Sequence, residues 1–366
     1  MRILLIAPDI PDYCIAFANA VATSSDVLLI APQSFFKDRP VPETPRLTVH
    51  QIDWPRHRSL RNPLFILRLL RTIHQFRPDV IHILNEKNVW LNALLPFLRG
   101  IPVVTTVHDV QYHPGDTGSV TVPQWCTRLF IWQSNAIIVH GRTLRQQAME
   151  HLPVAEKAVH ILPHVALPFY RDLAALEKLQ PEQGMAPMVL FFGRIRRYKG
   201  IDIFISAAAR VASEIPEVRF VIAGRSDDET QPILAKALPP LFDLRDRFIQ
   251  DVEAAQLFVD AKLLVLPYIE ASQSGVLAIA TTFGIPVVAT DVGNIGATVT
   301  EWETGLVVPA NDSEALAQAI LVLLRDEKRR SVLSENALKM AEFESGPTKI
   351  GAKAAAIYDQ LVKDAL

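Results

Sequence analysis

Only two cysteines, Cys14 and Cys126, occur in 366 residues. They lie far apart, which excludes a disulfide framework and a cysteine-rich metal site and suits a reducing cytosol. No apolar run approaches the roughly 18 uninterrupted residues that a membrane-spanning helix needs. The nearest stretch, 275–289, is interrupted by Thr281, Thr282, Gly284 and Pro286. The N-terminal apolar run ends at Pro8-Asp9 and reads as a first buried strand rather than an export signal. Neither sign of charge dominates: the net charge is −2, which argues against a nucleic-acid partner. Two phosphate-binding fingerprints are also missing. The loop after the first strand is Pro8-Asp9-Ile10-Pro11-Asp12-Tyr13 rather than GxGxxG, and no GxxxxGK[ST] occurs. These absences weaken NAD-dependent and NTP-hydrolysing readings but leave other phosphate sites open.

What is present is a large apolar content, 49% hydrophobic against 21% charged, in a chain long enough for two domains with a core in each. Short apolar runs, mostly unalternated Val/Ile/Leu, occupy 3–7, 27–31, 47–52, 80–84, 103–107, 136–139 and 158–162 in the first half. The second half has 188–192, 218–223, 248–250, 263–266, 287–289 and 306–308. Such runs, separated by helical-period segments, predict parallel strands buried on both faces, joined by right-handed crossovers. The polar stretch 177–184 marks the break. We expect an α/β protein of two Rossmann-like lobes, 1–168 and 169–346, with a last helix in 347–366 returning to the first lobe. Asn62-Pro63 reads as an N-cap followed by proline, Pro78 as a helix stop, and Asp312 as the cap of a helix over 313–324.

Two loops carry the features expected of anion binding. After the strand 188–192, Gly193-Arg194-Ile195-Arg196-Arg197-Tyr198-Lys199-Gly200 places four cations within six residues. At the carboxyl end of a strand in an open α/β sheet, that is where a phosphorylated ligand sits; an ordinary solvated basic turn has the same composition. After the strand 263–266, Glu270-Ala271-Ser272-Gln273-Ser274-Gly275-Val276 leads into a helix. Small residues at a helix start leave backbone N–H groups free for an anion, although a serine-capped turn looks alike. Together the two loops suit a diphosphate.

The runs Phe192-Gly193-Arg194…Lys199-Gly200, Val221-Ile222-Ala223-Gly224, Val265-Leu266-Pro267-Tyr268, Ser272-Gln273-Ser274-Gly275, Phe283-Gly284-Ile285-Pro286-Val287 and Thr304-Gly305-Leu306-Val307-Val308-Pro309, taken in that order, resemble glycosyltransferase family 4. The first half resembles it more loosely, through Thr106-Val107-His108-Asp109 and Ile137-Ile138-Val139-His140-Gly141. The resemblance implies a GT-B fold, with two lobes facing each other across a cleft. It also implies a retaining hexosyltransferase that uses a nucleotide diphosphate sugar and needs no cofactor or metal. The acceptor it implies is a carbohydrate, a lipid-linked molecule or a small molecule, in glycan, glycolipid or cell-surface polysaccharide synthesis. By family pattern Arg194 and Lys199 hold the donor diphosphate, and Gly193, Gly224, Ser272, Ser274, Gly275 and Val276 complete the donor site. His108 faces the donor sugar from the first lobe, and Glu270 is a candidate for sugar contact.

The chain departs from the family pattern at three places. The second of two loop glutamates, which grips the ribose, would fall at Ala278 or Ile279. The acidic residue before the Thr-Gly-Leu strand would fall at Ala297, and the first-loop glycine pair is replaced by Ile10-Pro11-Asp12-Tyr13. A lost ribose contact costs about 1–3 kcal/mol of donor binding. These gaps leave open a non-catalytic sugar-nucleotide-binding subunit, and the fold also admits a sugar-nucleotide epimerase. His82, His140 and His164 read as structural.

Between Asp53 and Asp79 there is no acid, but there are six arginines, and Leu64, Leu67 and Leu70 share a helical stripe. A basic amphipathic helix in 54–77 fits peripheral contact with an anionic membrane, here the cytoplasmic face. It equally fits a surface helix whose three leucines face the core.

Overall fold

The continuous Val/Ile/Leu runs become parallel strands with helices on both faces of each sheet. The computed structural model describes every residue except 38, 99, 111–121, 156–157 and 366. The described residues of Met1–Val110, Ser119–Val165 and Glu344–Leu366 form one unit, and those of Ala166–Phe343 another.

The first unit runs β1 (Arg2–Ile6), α1 (Pro11–Ala22), β2 (Asp26–Pro32), β3 (Leu47–Ile52), α2 (Asn62–Phe76), β4 (Val80–Ile83), α3 (Val89–Leu94), β5 (Val103–Thr106), α4 (Gln124–Trp132), β6 (Ala136–Val139), α5 (Arg142–His151) and β7 (Val159–Ile161). Its seven-stranded sheet has the order β3-β2-β1-β4-β5-β6-β7. Leu4 of β1 stands between Leu28 and Ile81 of the flanking strands. Side chains alternate across the sheet. Leu4, Ile6, Ile81 and Ile83 meet α2, α3 and α4 through Phe65, Leu69, Leu91 and Phe130. His82 points to the opposite face, where it meets Phe17 of α1 and Tyr358 of the last helix.

The second unit runs α6 (Phe169–Leu176), β8 (Met188–Phe192), α7 (Ile201–Glu214), β9 (Arg219–Ala223), α8 (Gln231–Leu234), β10 (Phe242–Arg245), α9 (Asp251–Asp260), β11 (Ala261–Leu266), α10 (Gly275–Phe283), β12 (Val287–Thr290), α11 (Ile295–Glu301), β13 (Gly305–Val308), α12 (Ser313–Arg325) and α13 (Glu327–Lys339). Its six strands, all parallel, take the order β10-β9-β8-β11-β12-β13. Phe191, Phe204, Phe220 and Phe242 anchor its core. A π-helical turn at Met340–Glu344 leads into α14 (Pro347–Ala365), which packs on α1 of the first unit. A Cβ on Gly351 would lie 2.1 Å from the Ala20 carbonyl oxygen, so the two helices touch backbone to backbone.

Three local expectations are corrected. No strand forms at 248–250; the edge strand is β10, at 242–245. An edge strand is buried on one face only, and here Phe242 points inward while Arg245 turns to Asp243 and Glu253. Asn62 lies inside α2 and does not cap it. Its amide donates to the carbonyls of Arg56, His57 and Ser59, tying down the loop before the helix. Leu64 and Leu67 of α2 do not face the core. They are exposed, and the inward stripe is Phe65, Ile66, Leu69 and Ile73, with Leu70 half-buried against it. Asp312 does cap α12, its carboxylate accepting from Ala315 N at 2.8 Å.

Candidate functional site

In the second unit the strand order reverses between β8 and β11, the position where open α/β sheets bind ligands. The loops after these two strands are pressed together by glycines. Gly200 has φ +66°, and a Cβ there would lie 1.9 Å from the Pro267 carbonyl oxygen. Gly224, after β9, would collide in the same way with the Gly193 carbonyl oxygen at 2.0 Å. Only glycine permits these approaches. Ile269 N donates to the Tyr198 carbonyl at 2.7 Å, fastening the second loop to the first.

This packing delivers Lys199. Its side chain is buried, with Nζ 5.3 Å from the centroid of the Tyr268 ring, a cation–π distance. Burial pushes the Tyr268 phenol up to about 12, so the ring stays neutral. A Cβ built on Gly193 would meet Lys199 Nζ at 3.5 Å and Val276 Cγ2 at 3.4 Å. Lys199, the bare Cα of Gly193 and the first turn of α10 are therefore neighbours. Ser274 caps that helix, its hydroxyl accepting from Leu277 N at 3.3 Å. The N–H groups of Gly275 and Val276, the first two of the helix, have no hydrogen-bond partner among the described residues. A buried ammonium beside two open amides at a helix N-terminus forms an anion cradle.

The other expected donor residues lie around this cradle. Ser272 is buried, and its carbonyl accepts from Asn294 N at 3.0 Å. Glu270 is half-buried in the same loop, its N–H 3.4 Å from the Tyr198 carbonyl. Arg194 is exposed in the loop after β8. Its neighbour Arg196 is tied to Asp227 at 2.8 Å, so the cations of this loop are not equivalent. Ala278 and Ile279 are buried on α10 and supply no carboxylate.

His108 belongs to the first unit, just after β5. That sheet reverses its order between β1 and β4, and the loops after these strands hold a second polar group. His108 Nε2 lies 2.9 Å from the Leu84 carbonyl, so Nε2 carries the proton and donates. Nδ1, the acceptor of the neutral ring, is buried without a hydrogen-bond partner among the described residues. Burial holds the imidazole below its ordinary pKa. Glu86 is 1% exposed, and neither carboxyl oxygen has a hydrogen-bond partner among the described residues. Burial pushes this carboxyl up to about 7, against the pull of the adjacent Lys87 ammonium. Lys87 itself pairs with Asp109 at 3.1 Å. Tyr13 fills the space beside β1, its ring edge-on to His108 at 4.7 Å, with its hydroxyl also buried and without a hydrogen-bond partner among the described residues. Orphaned buried polar atoms are uncommon and mark places where a polar ligand completes the bonding.

His82, His140 and His164 are held by protein partners. His82 bonds the Tyr358 hydroxyl at 2.6 Å and the Thr106 hydroxyl at 2.8 Å, His140 the Leu162 carbonyl at 3.0 Å, and His164 the Val165 carbonyl at 2.8 Å. Sequence reasoning overlooked Glu86 and Lys87, while it expected the acceptor near His108 and the loop 8–13. The available signal was a polar Asn85-Glu86-Lys87 set directly behind a buried strand.

Residues 13–165 match the sequence model described as Glycosyltransferase Family 4, and residues 186–326 match that described as Glycosyl transferases group 1. Alpha-D-kanosaminyltransferase of Streptomyces kanamyceticus is 28% identical over 74% of this chain and 74% of its own length. D-inositol 3-phosphate glycosyltransferase of Corynebacterium aurimucosum is 26% identical over 72% of this chain and 68% of its own. Among solved structures, sucrose-phosphate synthase of Thermosynechococcus elongatus superposes with a TM-score of 0.72 at 19% identity, over the full length of both chains. Anabaena HepE in complex with UDP-glucose gives 0.72 at 16% identity, covering 98% of this chain and all of that one. The architecture is the GT-B fold.

Proposed function

Because the chain belongs to the family 4, group 1 glycosyltransferases, we propose that it moves a hexose from a nucleotide diphosphate sugar to a hydroxyl acceptor, with retention at the anomeric carbon. The observation that carries this reading is the placing of Lys199 Nζ beside Gly193 and the open amides of Gly275 and Val276. Breaking the bond between the anomeric carbon and the diphosphate leaves the electron pair on a phosphate oxygen. A fixed ammonium and a helix N-terminus are arranged to meet that charge before it forms, which lowers the barrier without reorganisation. Arg194, exposed in the same loop, adds a second cation. With these groups present, diphosphate departure needs no metal ion or other cofactor. Glu270 would contact the donor sugar. The acceptor hydroxyl would bind the first unit at the orphaned polar atoms of Glu86, His108 and Tyr13.

The test is a thermal-shift screen of nucleoside diphosphates and their sugars. At 100 times its dissociation constant the right donor stabilises the protein by about 2.7 kcal/mol. Product analysis with that donor then separates transfer from epimerisation. If no nucleoside diphosphate or sugar nucleotide raises the melting temperature of the wild type, the reading fails.

A further inference from the structure

We propose that the outer face of α2 and α4 in the first unit is a docking surface for an anionic phospholipid bilayer. The sequence singled out 54–77 alone; the structure turns the leucines of that helix outward and adds a second helix. Leu64 and Leu67 of α2 are three apart, and Trp125, Leu129 and Trp132 of α4 follow one another at spacings of four and three; Leu60 lies in the turn just before α2. On a helix these spacings make a single stripe. Both stripes face away from the core. Leu64, Leu67, Trp125 and Trp132 are 53–68% exposed and Leu60 98%, while Phe65, Leu69, Phe130 and Ile131 fill the inward sides. Both helices pack on α3 and cover the same face of the sheet, so the stripes point to the same side. Phe97, 70% exposed in the turn after α3, belongs to the same layer.

The charge of this layer selects the occupant. α2, α3, α4 and the turn Leu95–Leu98 contain no aspartate or glutamate, although the chain as a whole carries a net −2. Arg68 and Arg71 stand exposed beside the leucine stripe and Arg128 beside the tryptophans. Exposed aliphatic and indole groups with arginines beside them, on helices that carry no carboxylate, complement a surface that is apolar below and negative above; one acid borders the patch, Asp53, which pairs with Arg61 at 3.7 Å. Indole rings favour the headgroup level, where the ring is buried and its N–H stays wet. A second copy is a poorer partner, because a two-fold contact through this face would set arginine against arginine.

The experiment uses the full chain and phosphatidylcholine vesicles with or without about one-third phosphatidylglycerol, read by flotation and by quenching of tryptophan emission with brominated lipid. We expect binding to the anionic vesicles that is about tenfold or more tighter than to neutral ones and that weakens as salt is raised. Trp125→Ser/Trp132→Ser removes the quenching and most of the binding, and Arg68→Gln/Arg71→Gln lowers affinity about tenfold. Leu64→Ser/Leu67→Ser gives a second loss should the tryptophan pair fold poorly. Leu176→Ser, at an exposed leucine of the second unit, leaves binding unchanged. Absence of vesicle binding, or binding that ignores all three variant pairs, overturns the proposal. So does a dimer in light scattering that the same substitutions dissociate, since the face is then a protein interface.

Discussion

A methyl group on Gly224 would stand 2.0 Å from the carbonyl oxygen of Gly193. The contact joins the loop after β9 to the loop that presents Lys199. Because Gly224 also sits at φ +149°, Gly224→Ala combines a clash with backbone strain. The variant is expected to lose about 1–3 kcal/mol of stability and to lose donor binding beyond that. The comparison is its melting temperature with and without saturating sugar nucleotide. A donor-induced shift equal to the wild type's would show that the loop position does not govern the cradle.

Lys199 and Arg194 are expected to differ. Removing the buried ammonium takes away a fixed charge at the leaving group, so Lys199→Ala should lower kcat/KM by about 10²–10³, the loss typical of a preorganised oxyanion donor. Arg194 is exposed and held by solvent as much as by the fold, so Arg194→Ala should cost less. Lys199→Arg should rescue only in part: a guanidinium keeps the charge and can stack on the Tyr268 ring, but it is larger than the ammonium that lies beside Gly193. Steady-state kinetics on the three variants decides the order.

Glu86 titrates near 7 in the folded protein, above its ordinary value, because it is buried. Folded protein therefore holds this proton where unfolded protein has released it. The carboxyl's full contribution to stability is present below about pH 4.5 and is lost as pH rises through about 7. Glu86→Gln should match the wild type in acid and be more stable at pH 8, by an amount on the order of a few kcal/mol. If the carboxylate receives the acceptor hydroxyl, the same variant flattens the rise in acceptor kcat/KM across pH 7 while leaving donor affinity unchanged. A pH-rate profile that keeps its shape in the variant removes Glu86 from the acceptor site.

The buried histidines act in the opposite direction. Burial holds His82 down to about 3 and His164 down to about 4. Unfolded chains take up protons near pH 6.5 that the folded ones refuse, so stability falls as pH drops from about 6.5 towards 4. Each displaced unit corresponds to about 1.4 kcal/mol. Thermal unfolding followed from pH 7.5 to 4 should show this loss, and His82→Gln should flatten part of it. A melting temperature independent of pH over that interval would contradict neutral burial.

Twelve of the thirteen strands among the described residues were readable, most of them because buried parallel strands are nearly unbroken apolar runs. β10 was not: Phe242-Asp243-Leu244-Arg245 alternates, while the nearby Phe248-Ile249 mimics a run but leaves Phe248 exposed. The direction of α2 stayed open in the sequence because Leu64/Leu67 and Phe65/Leu69 form two apolar stripes on one helix, and composition cannot say which one a sheet will cover. The donor loops were legible through their glycines, whose tight approaches admit nothing larger. Glu86 was not, since a single glutamate behind a strand looks like a solvated turn until its burial is known.

The hydrogen bond between His82 and Tyr358 joins residues 276 positions apart, and the helix bearing Tyr358 walls one side of α1. A ribosome making this chain therefore emits the whole second unit before the first can be sealed. Until then Phe17, Ala20 and their neighbours lack their cover, so shortening the chain from its last helix should expose a sticky, chaperone-dependent first half rather than merely trim a tail.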